Sequence, residues 1–467
     1  MKFWKKLLAA QLSVTMLTGA AAVAPMNMTV AAAVDEESAS TDGTTGECKW
    51  HFDSDTRTLT VFGKGKMADY SISNDTPWYS FASSLKAVVI GDGVTYVGQR
   101  AFASGKYTEV TLSDSVIRLG ANSFQSGSVT NVRFGKNVQV IGDSAFADAK
   151  FTAVTLPSSL TELGKAAFSS CPNLTRITIP NKCTSSLNDT FRNSRALSEV
   201  TIGTGVTGCD RGAFFGCSVK KFTVSAANAS LKSIDGSLYT KDGSRLICYH
   251  KADSPTAFTV PESVTEIGDY AFYGNSAVQT LTLTENLRKI GYMAFYNASV
   301  STIQFNAPAL EEIGQNAFRS TPWYNKRPDG VVYAGTVAYG YKGDAPSTVY
   351  IKSKTLGIAD NAFEGMEQLE SVSLPVSLRR IGKNAFCQCT ALQSATLKKG
   401  LQSIGESAFQ GCAALETVDF PEGLTTLEAS AFRECTSLTK VILPDSLTEL
   451  GHDCFYKCKN LQKLKIG

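Results

Sequence analysis

The chain is 467 residues long, 43% hydrophobic and 19% charged, with 12 cysteines and a formal net charge of +3. Its first 33 residues hold Lys2, Lys5 and Lys6 and no acid, so without them the 45 basic residues fall to 42, level with the 42 acidic ones. That balance excludes a cationic nucleic-acid binder and a polybasic membrane binder.

Residues 1–33 read as a secretory signal peptide: a basic start, an apolar run from Leu7 to Ala24, then small Ala31, Ala32 and Ala33. No later stretch has the length of apolar sequence that a spanning helix needs, so the mature chain is expected to have no membrane span. Residues 34–46, VDEESASTDGTTG, read as a flexible linker. Residues 47–83 read as a capping module. Trp50 and Phe52 alternate on one side of a polar turn and Leu59 and Val61 on the other, which predicts a β-hairpin covering the open first coil of a repeat array.

From residue 84 the chain is periodic. Phe102, Phe124, Phe146 and Phe168 are 22 residues apart; Phe191 and Phe214 come next at 23. After a gap come Phe272, Phe295 and Phe318, and after another Phe363, Phe386, Phe409, Phe432 and Phe455. A fixed period in this range marks a solenoid, in which each repeat buries its face only against its neighbours. The unit is clear in LETVDFPEGLTTLEASAFREC at 415–435. Its V-x-apolar stretch alternates between turn formers and predicts a short parallel strand, as at Val110/Leu112, Ile177/Ile179 and Leu281/Leu283. Proline often comes after the strand and ends the ladder, since it has no N–H to donate. Ten units carry Gly four residues before the Phe, which suits either a positive φ or close contact between coils. Ala-Phe then begins a short helical turn, with Phe filling the coil interior. The expected fold is a leucine-rich repeat solenoid of about fourteen 22–23-residue coils, in arrays at 84–232, 256–320 and 347–467.

Two insertions, 233–255 and 321–346, read as β-hairpins turning at Asp242-Gly243 and Ala334-Gly335. The second gathers Trp323, Tyr324, Tyr333, Tyr339 and Tyr341, aromatics that the repeat does not require. They either pack against the flanking coils or form a discrete ligand site. TPWY, at 76–79 and 321–324, has the same two readings: a plug where a coil is missing, or an aromatic site.

Cysteines form a column three residues after the repeat Phe: Cys171, Cys217, Cys389, Cys412, Cys435 and Cys458. Equivalent positions in stacked coils point the same way, whereas a disulfide needs converging side chains. They read as buried thiols alongside a structural ladder that includes Phe102, Phe146, Phe168, Phe272, Phe295, Phe318, Phe386, Phe409, Phe432 and Phe455. The pairs Cys387/Cys389 and Cys454/Cys458 lack a histidine that would complete a zinc set, and no cofactor is expected.

Units such as LPVSLRRIGKNAFCQCTAL (374–392) resemble the leucine-rich repeats of BspA-like bacterial surface proteins. FDSDTRTLTVFGKGKM (52–67) and PWYS (77–80) resemble the module that commonly precedes them. The resemblance implies a secreted or cell-surface protein that adheres to protein or glycan partners on host or bacterial surfaces. It brings no catalytic residues. The three histidines, His51, His250 and His452, lie far apart and in no nucleophile or metal motif. The chain is therefore expected not to be an enzyme; the alternative is a spacer or the substrate-recognition part of a secreted hydrolytic system. The expected binding face is the outward side of the strands, a threonine-rich column that includes Arg133, with Arg176 and Lys221 in the charged column beside it.

Overall fold

The computed structural model describes residues 41–466 apart from 211 and 251–254. The signal peptide and the start of the linker lie outside the described residues. The described chain winds into a β-solenoid of about 16 turns with parallel strands and little helix. Two turns beyond the fourteen marked by Phe carry a different aromatic in the same slot. Trp78 stacks on Phe102 at 5.1 Å and Tyr249 on Phe272 at 4.5 Å.

Each turn has three sides. The first is the longer strand, as in Glu109–Leu112, Arg176–Ile179 and Thr280–Leu283, paired in parallel with the equivalent strand of the next turn. Its inward residues, such as Val110 and Leu112, are buried, and Glu109 and Thr111 face out. The second side is a two-residue strand, as in Glu266–Ile267 or Arg380–Ile381, again parallel from turn to turn. The third side carries the Phe. Its rings stack along the axis with centroids 4.7–6.2 Å apart and planes within 7–17°. All are buried except Phe455, which is half-buried in the last described turn. Burying each ring contributes about 1.5–3 kcal/mol.

The Phe side is a run of single turns with alternating hydrogen bonds. Around Phe386, the N–H groups of Asn384, Phe386 and Gln388 donate to the carbonyls of Glu406, Ala408 and Gln410 in the next coil, at 2.9, 2.8 and 2.7 Å. The intervening N–H groups of Ala385, Cys387 and Cys389 turn back onto Gly382, Asn384 and Phe386. This alternation needs left-handed residues two before and two after the Phe. Asn122, Ser144, Asn316, Asn384 and Ser407 hold the first position; Asp148, Asn297, Gln388 and Gly411 hold the second. Asn, Asp and Gly tolerate that conformation best.

The glycines four before the Phe answer to the other reading, close contact. None of the ten has a positive φ. A Cβ on Gly405 would stand 2.7 Å from Gly382 C and Lys383 N of the preceding coil.

Three elements differ from expectation. Within the linker, Asp42–Thr45 is a strand, antiparallel to Cys48–Asp53. Gly43 lies against the Trp50 indole, and buried Thr45 hydrogen-bonds Tyr70 Oη at 2.7 Å, so this polar stretch is held as the edge of the cap. The first insertion is a three-stranded meander, Leu231–Ile234, Ser237–Thr240 and Arg245–Cys248, whose last strand joins the second side of the solenoid beside Glu266–Ile267. The one α-helical segment among the described residues is Pro322–Asn325, the second TPWY, capped by Thr321 Oγ1 accepting from Tyr324 N. The second insertion pairs Gly330–Ala334 with Val337–Lys342 around Gly335.

Candidate binding surface

The aromatics of the second interruption divide by burial. Trp323 and Tyr339 are core residues, 4% and 7% exposed. Trp323 packs on Phe318 and Phe305. Tyr339 Oη accepts the Phe318 N–H at 2.8 Å, standing where the next coil would place a carbonyl. Burial pushes its phenol pKa well up. The first TPWY works in the opposite sense: Trp78 Nε1 donates to Ala101 O at 2.9 Å. Tyr324, Tyr333 and Tyr341 are half-buried against the same core. Lys342 Nζ lies over the Tyr324 ring, and Lys352 Nζ over the Tyr333 ring at 3.9 Å. Tyr333 Oη also accepts Lys352 N–H at 2.9 Å. The interruption thus offers a ligand only the rims of three tyrosines.

The cysteine column is internal. All twelve cysteines are thiols in the structure, and those of the column are buried. Cys389, Cys412, Cys435 and Cys458 each donate Sγ–H to the Phe carbonyl of the preceding coil at 3.2 Å. Ser194 does the same toward Phe168 O at 2.9 Å. Burial raises these pKa values, that of Cys389 to about 12. Among the described residues no group of three or more His, Cys, Asp or Glu is placed to hold a metal. Thiol titration is expected to find all twelve reactive after denaturation and the column silent before it. Cys412→Ser, which keeps a donor, is expected to melt near the parent, and Cys412→Ala about 1–2 kcal/mol below it.

The two later arrays are joined by charge. Glu312 pairs with Lys289 at 2.9 Å and reaches Arg380 across Gly357 at 3.8 Å. Asp360 sits beside them, its N–H on Ile313 O and its Oδ1 accepting Lys383 N–H at 2.8 Å. Burial raises its carboxyl from 3.8 to about 6, against the pull of the Lys383 amide and Arg380. The folded chain therefore holds this proton more tightly than the unfolded chain. The contribution to stability is full below the ordinary value of 3.8 and is lost as pH rises through about 6. Asp360→Asn keeps the acceptor for Lys383. It is expected to raise the melting temperature at about pH 8 and to leave it unchanged at about pH 3.5, checked by calorimetry at both.

The broad exposed surface is the outer side of the long strands. Arg133, Arg176 and Lys221 are all exposed there. Arg176, Glu199 and Lys221 stand in one register column, so the first array presents alternating charge. The later arrays differ. Ala257, Thr280 and Thr302 align in one column and Thr259, Thr282 and Gln304 in the other. The third array continues with Thr348, Ser371 and Ser394 beside Tyr350 and Ser373. Charge returns with Asp419, Lys440 and Lys463. On this neutral face Tyr350 is 75% exposed. It lies two residues before Lys352, whose amide Tyr333 holds. The repeat pattern marks inward positions, so Tyr350 left no signal in it beyond being a large aromatic at an outward site.

Short parallel strands, one aromatic turn per coil and a buried leucine, isoleucine or valine at each corner define a leucine-rich repeat solenoid. The chain belongs to the family described as BspA type Leucine rich repeat region (6 copies), which matches residues 71–128, 118–242, 247–326 and 342–467. Among solved structures, the pneumococcal vaccine antigen PcpA is 19% identical, with 83% of this chain and 93% of that one covered and a TM-score of 0.50. A leucine-rich repeat protein from Eubacterium ventriosum is 20% identical over 90% of this chain and 95% of its own, with a TM-score of 0.46. A leucine rich cell surface protein from Faecalibacterium prausnitzii is 19% identical over 92% and 96%, at 0.44. No curated protein matches the chain. Among the described residues no helix is long and apolar enough to cross a membrane.

Proposed function

We propose that this chain is an exported cell-surface recognition protein that binds an uncharged glycan or protein surface and performs no catalysis. Residues 1–33 direct its export. The observation that carries the reading is the neutral strand face of the later arrays, where the half-exposed Tyr333 and Tyr341 lie in the insertion beside the array that presents Tyr350. Uncharged strand side chains shed their water at less cost than charged ones, while threonine and serine hydroxyls and an exposed aromatic ring supply directional contacts. The charged first array, with Arg133, Arg176 and Lys221, flanks this face and discourages cationic or anionic competitors only weakly, because its signs alternate.

The test is binding of the mature protein to a panel of neutral and charged surface glycans and to host and bacterial surface proteins. Tyr350→Ala is expected to keep the parent melting temperature and to weaken binding about tenfold or more, as loss of an aromatic anchor does. Parent-like binding by Tyr350→Ala, and by the Tyr333→Ala, Tyr341→Ala double variant, would leave the face a passive scaffold.

A further inference from the structure

We infer that the first interruption is a hinge dividing the solenoid into two separately packed stacks, which swing against each other about the turn at 212–216. Four features mark it. The buried core forms two clusters, and the division falls between Leu238 and Tyr239, inside the middle strand of the meander. Among the described residues the long-strand sheet stops at Lys221–Val224, one coil beyond the second side, which stops at Gly208–Asp210, and it restarts at Ala257–Thr259; Phe222 N–H reaches only the meander, at Gly236 O, 2.9 Å. The Phe-side ladder stops as well. Among the described residues the amides of Gly212, Phe214 and Gly216 meet no carbonyl of a following coil, whereas those at 407, 409 and 411 meet Ala429, Ala431 and Arg433. A cavity of ≈ 30 Å³ opens beside Gly212 and Phe214, against Ile247 and Tyr270. That is room for about two waters, which would let the faces part without exposing dry apolar surface.

The second interruption lacks this character, although its strands also restart. The core is continuous through it. Asp360 N–H reaches Ile313 O, Arg380 reaches Glu312, and Tyr339 Oη closes the ladder. A gap in the repeat pattern is therefore not sufficient for a hinge; a divided core together with an ended Phe-side ladder is.

One contact latches the joint from outside. Phe215, half-exposed, lies on Tyr270 and Tyr273 at 4.7 and 4.4 Å, with Arg192 over its ring at 4.8 Å. Tyr270 is held at a φ of 58, in the left-handed slot that Asn, Ser or Asp fills in most coils and the bulky Arg100 and Met293 in two others. A bulky residue there is unfavourable, and the contact with Phe215 offsets it. Hinges absorb motion at a few element-terminal residues, and Gly212 and Gly216 supply that freedom.

Hydrogen exchange on the mature chain tests this. The amides of 212, 214 and 216 are expected to exchange on the order of tenfold or more faster than those of 407, 409 and 411. Calorimetry is expected to resolve two transitions, with Phe168→Ala lowering only one and Phe409→Ala only the other. Phe215→Ser should broaden the intramolecular distance distribution seen in solution scattering while leaving exchange within both stacks at parent rates. Protection at 212–216 equal to that at 407–411, or a single transition shifted whole by either core variant, overturns the hinge.

Discussion

Phe409→Ala lowers the stability of the third array by about 3–5 kcal/mol, the cost of emptying a well-packed aromatic site. The ring is fully buried between Phe386 at 5.2 Å and Phe432 at 5.0 Å. Neither neighbour can collapse into the space, because the backbone beside each is held by bonds to the next coil. Those of Phe409 and Gly411 run to Ala431 and Arg433. The loss is expected to spread to the two adjacent coils and fade beyond them, since a repeat stack couples nearest neighbours. Amide exchange resolved by residue would report it. Parent-like protection at 384–388 and 430–434 would show that the ring column does not hold the coils together.

Gly164→Val has an effect of comparable size by the opposite means. A Cβ at 164 would stand 2.5 Å from Asp143 N and Gly142 C, and 2.7 Å from Asp143 Oδ1. The first two are backbone and cannot rotate away. The third is the acceptor of the Lys165 N–H at 2.8 Å, so the intruding methyls also break that bond. Overpacking alone costs about 1–3 kcal/mol, and loss of that solvent-exposed hydrogen bond adds about 0.5–1.5 more. The positive-φ argument does not apply at this position. Gly164→Ala is therefore expected to fall between parent and Val in a denaturant titration. A Val variant as stable as the parent would mean that neighbouring coils separate freely.

The repeat was legible because its physics is local. One slot per coil must be filled by a large ring, so Phe recurs at the coil length, and the cap hairpin shows in the alternation of Trp50, Phe52, Leu59 and Val61. What the sequence hid were places where geometry accepts more than one residue type. Trp78 and Tyr249 fill the Phe slot as well as Phe does, because the slot selects for a flat apolar ring. Asp42–Thr45 is an edge strand of polar residues, fixed by Trp50 and Tyr70 rather than by its own composition. The aromatics of the second insertion carried no burial signal. Trp323 and Tyr339 went inward and Tyr333 and Tyr341 halfway, according to which coil was missing beside each. Tyr350 was the reverse case, a large aromatic in a regular strand that faces out.

The alternating turns on the Phe side have an electrical consequence. Every amide that reaches between coils there points toward later residues, and every accepting carbonyl toward earlier ones. Their dipoles add along this side as they do in a helix, so the Phe side of each unbroken array ends in donors at its later end and acceptors at its earlier end, while on the other sides amides such as Gln402, Ser403 and Gly405 point back to Arg379 and Ile381. The groups found at two of those ends have the compensating sign: the indole proton of Trp78 at an earlier end and the phenolic oxygen of Tyr339 at a later one. The two ends of that side are therefore chemically unlike, and two Phe sides brought end to end pair only donor edge to acceptor edge.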